Sequence, residues 1–302
     1  MIDKQYIKSI NTRLNKLNPK WELHPFPHTI IDNFLPENLF KKINKEFKKD
    51  GGAKNLKKKF NSHVELNKKV FGDKDLSKLQ KLPIEILGGS LITKLIQKYT
   101  GNTKITSLCQ WKDYGGYFPF HTMERGGILG SHVDHSHSKF GDLHVANSIF
   151  YSSSEWKKTW GGETILFNSF GLKIKKKIFP KPNRLIIFIH SALSFHGVDK
   201  VKSPKNKSRS TYYMDYYIND KNLNKFNKDL KKNKFVNLKY TFHSTSFLPL
   251  IPLGLGSFEF KSFLRKNTYP YFMVYLKYLL SRFFLNYNLT KKIKIITNNL
   301  PW

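Results

Sequence analysis

The sequence has little sulfur to work with: a single cysteine, Cys109, in 302 residues. One thiol excludes an internal disulfide and any zinc site built on cysteines, and it fits a reducing compartment. Acidic residues are scarce as well, 21 Asp and Glu against 53 Lys and Arg, for a formal net charge of +32. That surplus invites a nucleic-acid or anionic-membrane reading. Its distribution argues for a compositional bias instead, because Lys57-Lys58-Lys59, Lys175-Lys176-Lys177 and Lys231-Lys232-Asn233-Lys234 lie far apart along the chain. A functional basic surface facing an acidic partner is the competing reading. Zinc-finger spacing, a P-loop and RNA-binding signatures are all missing, so no nucleic-acid partner is expected.

Long apolar runs are missing too. The longest, Tyr269 to Leu285, is interrupted by Lys277 and Arg282, too short and too charged to span a bilayer comfortably. Met1-Ile2-Asp3-Lys4 carries no apolar signal segment. The expectation is a soluble, cytoplasmic protein. Lys277 and Arg282 stand about 140° apart on a helix, so residues 269–287 have no single polar face. A helix apolar nearly all round packs on several sides. Intramolecular or homodimer packing is therefore expected there in preference to membrane contact.

What is present is aromatic bulk, 25 Phe and 15 Tyr, in a composition that is 39% hydrophobic, which is globular in character. Residues 1–20 read as a polar helix or arm. Thr29 to Leu35 reads as a short strand ending at Pro36. Leu39, Phe40, Ile43 and Phe47 have helical spacing over Glu37 to Lys49, followed by Gly51-Gly52 and a basic loop over 50–75. A second helix is expected over Leu82 to Tyr99, ending at Gly101. From about residue 104 the pattern changes to short β-like runs at 104–111, 130–135, 144–151, 163–168, 184–190, 194–201 and 210–218, as in a sandwich or jelly roll. Three regions follow: an N-terminal support region, 1–103; a β core, 104–220; and a C-terminal extension, 221–302, packed on the core or on a second subunit.

The chemistry concentrates in Ser131-His132-Val133-Asp134-His135-Ser136-His137. Residues i and i+2 of a strand share a face, so His132 and Asp134 would present an imidazole and a carboxylate side by side. His196 lies 64 residues on, near another expected strand. Two histidines and a carboxylate on one face form the facial triad of non-haem Fe(II) oxygenases, which leaves the opposite coordination positions open. By themselves these residues leave rivals standing, because His135-x-His137 also shares a face and His144 is near.

The order His132-x-Asp134, Trp160-Gly161-Gly162-Glu163-Thr164, Asn183-Arg184-Leu185-Ile186-Ile187-Phe188, His196-Gly197-Val198 and Arg209-Ser210 resembles the prolyl-4-hydroxylase-like branch of the 2-oxoglutarate/Fe(II) oxygenases. The segment Thr29 to Pro36 is similar to the strand-then-helix opening of that branch. The resemblance covers roughly residues 25–220. It implies a mainly β fold with flanking helices, the double-stranded β-helix or jelly roll. It also implies an Fe(II) site of His132, Asp134 and His196, with His135 or His137 as outer contacts or substrate contacts. Arg209, thirteen residues after His196, would grip the distal carboxylate of 2-oxoglutarate, which suits a bidentate guanidinium. Tyr151, Asn147 and Thr211 are candidate helpers for that co-substrate. The implied activity is a dioxygenase that uses O2 to hydroxylate an organic substrate, a small molecule, a saccharide-linked group or a peptidyl residue, with ascorbate a candidate further cofactor. A carboxylate at 134 argues against halogenation, which in this superfamily goes with a small residue at that place. A cupin-like metal-binding isomerase or a binding module on the same jelly roll is the alternative.

Overall fold

The computed structural model describes residues 4–17, 19–49, 58–60, 65–72, 75–107, 118–138, 142–191, 193–218 and 246–247. Cys109, Gly51-Gly52 and the helix expected over 269–287 lie outside these residues.

The chain enters through α1 (Lys4–Leu17), β1 (Trp21–Glu22), β2 (His28–Ile31) and α2 (Glu37–Lys49). In α2, Leu39, Phe40 and Ile43 are buried, the stripe that their spacing predicts. Phe40 N donates to Pro36 O at 3.0 Å, which closes the first turn. The expected basic loop over 50–75 contains two strands in its described parts, β3 (Lys58–Phe60) and β4 (Glu65–Phe71). Neither was expected, because Glu-Leu-Asn-Lys-Lys-Val-Phe reads as a solvated run. The long strand β6 (Phe120–Val133) supplies its backbone partners, and Val70 and Phe71 anchor it in the core.

The single helix expected over 82–99 is two, α3 (Lys78–Gly88) and α4 (Ser90–Thr100). Ser77 and Gln80 form a reciprocal capping box, which starts α3 before Leu82. At Gly89 the backbone turns extended, φ −75° and ψ 170°, and the helical run breaks.

The remaining strands are β5 (Ile105–Ser107), β7 (Leu143–Tyr151), β8 (Thr164–Phe167), β9 (Ile174–Ile178), β10 (Arg184–Ile189), β11 (His196–Val198), β12 (Arg209–Ile218) and β13 (Ser246–Phe247). β6 begins ten residues before the expected start at 130, β11 is shorter than the expected 194–201, and β9 was not expected. Among the described residues every pairing is antiparallel, in the order β1-β2-β10-β7-β12-β6-β11-β8-β9, with β4 and β13 also on β6, β3 on β4 and β5 on β12.

β6 makes this a jelly roll. Its first residues, Phe120 to Met123, pair with β12, while Leu129 and His132 pair with β11, so one strand crosses from one sheet to the other. The larger sheet packs its outer face on the helices through Leu39, Leu87, Ile96, Phe150, Tyr212 and Tyr216, all buried. Between the sheets, Phe26, Tyr151, Leu166, Ile178, Ile186 and Phe188 form a second core cluster. The fold is a mainly antiparallel double-stranded β-helix flanked by helices. Among the described residues no helix is long and apolar enough to cross a membrane.

Candidate active site

At the mouth between the sheets lies a cavity of about 260 Å³. His132 stands near the end of β6, Asp134 just past it, and His196 opens β11, where His196 and His132 are register partners. Their ligand atoms, one from each residue, lie within 4.8 Å of one another. Both histidines are buried, and the Asp134 side chain keeps 20% of its exposure. The rivals fall elsewhere. His137 sits beside Ser136 Oγ at 2.8 Å and forms a bridge with Leu143, and the cavity lining includes neither His137 nor His144. His135 does line the cavity, with Nε2 at 2.7 Å from Tyr217 Oη.

The donor set suits a divalent cation. His132 Nδ1 lies 2.9 Å from Gly130 O and His196 Nδ1 lies 3.0 Å from Ser194 O. A carbonyl only accepts, so each Nδ1 carries a proton and each ring turns its Nε2 towards Asp134. These Nε2 atoms stand 3.5 and 3.4 Å from the two oxygens of Asp134. Three electron-rich atoms converging in this way need a cation between them. Burial, and then the facing His132, pull the His196 pKa down to about 4, so this ring is neutral and able to ligate at neutral pH. Burial works against the Asp134 carboxylate, but the facing His196 and His132 outweigh it and hold its pKa well below the ordinary range. Gly197 next to His196 permits the close approach of β11 to β6: a Cβ there would stand 2.6 Å from Leu129 O.

Arg209 opens β12 and is 3% exposed. Its Nε donates to Gly162 O at 2.8 Å and its Nη2 to Thr164 Oγ1 at 2.9 Å, with the guanidinium 5.0 Å from the centre of the Tyr151 ring. Tyr151 Oη and Thr164 Oγ1 are 2.6 Å apart, so the three groups brace one another. Gly162 adopts φ +75°, and a Cβ there would meet Arg209 Cδ at 3.2 Å. Among the described residues the one carboxylate that acts on Arg209 is Glu163, without a close ion pair, and the guanidinium is buried and lines the cavity. A buried cation without a closely paired anion is costly, and an incoming carboxylate would answer it. Thr211 and Asn147 also line the cavity, and Asn147 donates through Nδ2 to Asp134 Oδ2 at 3.3 Å.

Several lining residues were not anticipated from sequence: Lys68 on β4, His121 and Met123 on β6, and Tyr213 and Asp215 on β12. The alternation His121-x-Met123 and Arg209-x-Thr211-x-Tyr213-x-Asp215 places each set on one face, and that signal was available. Lys68 Nζ is held by Glu65 Oε1 at 2.6 Å.

Residues 118–215 match the family model described as the 2OG-Fe(II) oxygenase superfamily. No curated protein matches the sequence. Among solved structures, a prolyl-4-hydroxylase from Pseudomonas putida is similar at 13% identity, covering 70% of this chain and 99% of its own, with a TM-score of 0.45. The viral collagen prolyl hydroxylase of Paramecium Bursaria Chlorella virus-1, in its 2-oxoglutarate complex, is 19% identical over 63% of this chain and 96% of its own, with a TM-score of 0.39. HygX from Streptomyces hygroscopicus, with nickel, 2-oxoglutarate and hygromycin B bound, is 8% identical over 64% and 83%, with a TM-score of 0.43. The matched segment runs from just before β6 through Asp215 of β12 and so contains the His-Asp-His cluster, and over that segment the chain is similar to the 2OG-Fe(II) oxygenase superfamily, dioxygenases that work with Fe(II) and 2-oxoglutarate.

Proposed function

We propose that His132, Asp134 and His196 ligate the iron, that Arg209 pairs with the distal carboxylate of 2-oxoglutarate, and that the enzyme hydroxylates an organic substrate bound in the same cavity. The observation that carries this reading is a conjunction in one cavity. Three metal-ligating atoms converge within 4.8 Å of one another, and a buried guanidinium lines the same cavity. A cupin-type isomerase or a binding module would use the metal ligands and would have no need of the arginine.

When bound, Fe(II) with 2-oxoglutarate supplies oxidation of a C–H bond by O2, coupled to decarboxylation of the co-substrate to succinate and carbon dioxide. The protein's part is placement. Gly130 O and Ser194 O fix the two imidazole tautomers, as outer contacts do for metal-binding histidines. Asn147 orients the Asp134 carboxylate. Gly162 O and Thr164 Oγ1 hold the Arg209 fork in one plane above Tyr151, so a planar carboxylate meets a preset partner. Thr211, on the same face as Arg209, is placed to give the co-substrate a hydroxyl contact, and His135 stands where it can touch substrate.

The test is calorimetric titration of Mn(II)-loaded protein with 2-oxoglutarate, paired with succinate measurement in the Fe(II) form. Saturable binding that needs the metal, and succinate formed from 2-oxoglutarate, are expected. Metal-loaded protein with no affinity for 2-oxoglutarate would defeat the reading.

A further inference from the structure

The active cavity is polarised from end to end, and its second end has no assigned ligand. Arg209, Thr211, Tyr213 and Asp215 all line it from β12. Arg209 and Asp215 are six residues apart, about 20 Å along an extended strand. The Arg209 end is cationic: Arg209 is the register partner of Met123, and Met123 is that of Lys68. The Asp215 end is the opposite. Asp215 is the register partner of Asn147 on β7, so their side chains stand side by side on one face, with Cβ atoms about 5 Å apart.

Both residues are 6% exposed, and each has one oxygen, Asn147 Oδ1 and Asp215 Oδ1, without a hydrogen-bond donor among the described residues. The Asn147 orientation is not arbitrary. Its Nδ2 donates to Asp134 Oδ2, and a flipped amide would put oxygen against that carboxylate. Asp215 Oδ2 already accepts from Tyr217 Oη at 3.4 Å. His144 forms a buried ion pair with Asp215, Nε2 to Oδ1 at 3.5 Å, yet that nitrogen lies closer to Ala146 O, at 3.1 Å, and gives Oδ1 no hydrogen bond. Two buried acceptors left without donors in one corner of a ligand cavity are costly, and native sites rarely leave one such atom unexplained.

We infer that this corner recognises the substrate, and that the substrate carries a cationic nitrogen, an ammonium or guanidinium, whose N–H groups bridge Asn147 Oδ1 and Asp215 Oδ1. A hydroxyl has one hydrogen to give and cannot satisfy both oxygens. An ammonium has three donors and a guanidinium five, and a positive charge turns the contact with Asp215 into a charge-assisted one. The two ends then sort the two ligands by charge, with the dicarboxylate co-substrate at Arg209 and the basic substrate at Asp215. Because Asn147 also touches Asp134, the C–H presented for oxidation lies a few bonds from the nitrogen. This inference rests on the proposed placement of 2-oxoglutarate and adds the substrate class.

The experiment uses full-length protein loaded with Mn(II) and 2-oxoglutarate and three probes: agmatine, which carries a guanidinium and an ammonium, and the similarly sized pair 1-aminobutane and butyrate. Paramagnetic broadening of the probe C–H signals reports approach to the metal. The two amines should broaden and butyrate should not. Asp215→Asn, nearly isosteric, should weaken the amine effect at least tenfold while leaving 2-oxoglutarate affinity unchanged. A parallel thermal-unfolding series on metal-free protein separates the two readings, because the amines should raise the midpoint of the wild type and not of Asp215→Asn whether or not the metal site is as proposed. Equal behaviour of amines and butyrate would overturn the inference. So would amine binding that survives Asp215→Asn undiminished, which would leave water as the occupant of that corner.

Discussion

The two faces of β7 and β12 are built from the same two strands and do opposite things. On the outer face, Ala146 and Phe150 of β7 and Tyr212, Met214 and Tyr216 of β12 pack against the helices. Their polar atoms are answered: Tyr212 Oη donates to Gln80 O and Tyr216 Oη to Leu87 O, each at 2.8 Å. One residue along, on the inner face, Asn147, Thr211, Tyr213 and Asp215 line the cavity, and Asn147 and Asp215 keep acceptors without donors. A fold spends stability where it expects a ligand. The outer face should therefore govern folding, and the inner face binding.

The sharpest way to break that division begins with Phe150→Ala. Phe150 is fully buried, with its ring 5.6 Å from Phe34 and 6.2 Å from Phe40. Truncation should cost about 3–5 kcal/mol of unfolding free energy, measured by urea denaturation, while the folded fraction still binds metal in full. Loss of metal affinity without loss of stability would contradict the division. Next comes Arg209→Ala, which should weaken 2-oxoglutarate binding by about 2–5 kcal/mol with metal stoichiometry unchanged. Arg209→Lys should recover part of it, because a point charge replaces a planar fork. Unaltered affinity in calorimetry would remove Arg209 from the site.

A smaller effect is expected from Tyr216→Phe, which deletes the bond to Leu87 O and the 3.1 Å contact with Ser148 Oγ. It should lower stability by about 0.5–1.5 kcal/mol and leave 2-oxoglutarate affinity as it was. The smallest concerns His28, fully buried on β2 and outside the cavity lining. Burial lowers its pKa in the fold, so the unfolded chain takes up more protons once the pH falls below the ordinary histidine value of about 6.5. This contribution to stability is complete above that pH and is lost as the pH falls through the lowered folded pKa. His28→Phe should therefore flatten the acid side of the stability profile, and an unchanged slope would show that His28 does not set it.

The sequence was most readable where burial imposes pattern. Leu185 to Ile189 is a continuous apolar run and forms β10, buried between β2 and β7. The His132-x-Asp134 spacing and the distant His196 converge as the strand pattern implied. Less readable were elements stabilised by backbone partners more than by their own side chains. β4 carries Lys68 and Lys69 and kinks at Asn67, whose φ is +46° and whose amide donates to Arg125 O, so its pattern is broken before it can be read. The break at Gly89 looked like helix because apolar residues recur on both sides of it. Asp215 could have been found: a lone carboxylate inside Tyr212-Tyr213-Met214-Asp215-Tyr216-Tyr217 is expensive to bury and marks a place with a purpose.

The most direct test of the central claim is metal stoichiometry. Equilibrium dialysis of Mn(II) against wild type, His132→Ala, His196→Ala and His137→Ala should give one ion per chain in the wild type and in His137→Ala, and none in the other two. Full occupancy in both His132→Ala and His196→Ala would contradict the account and move the metal away from the His132, Asp134 and His196 cluster.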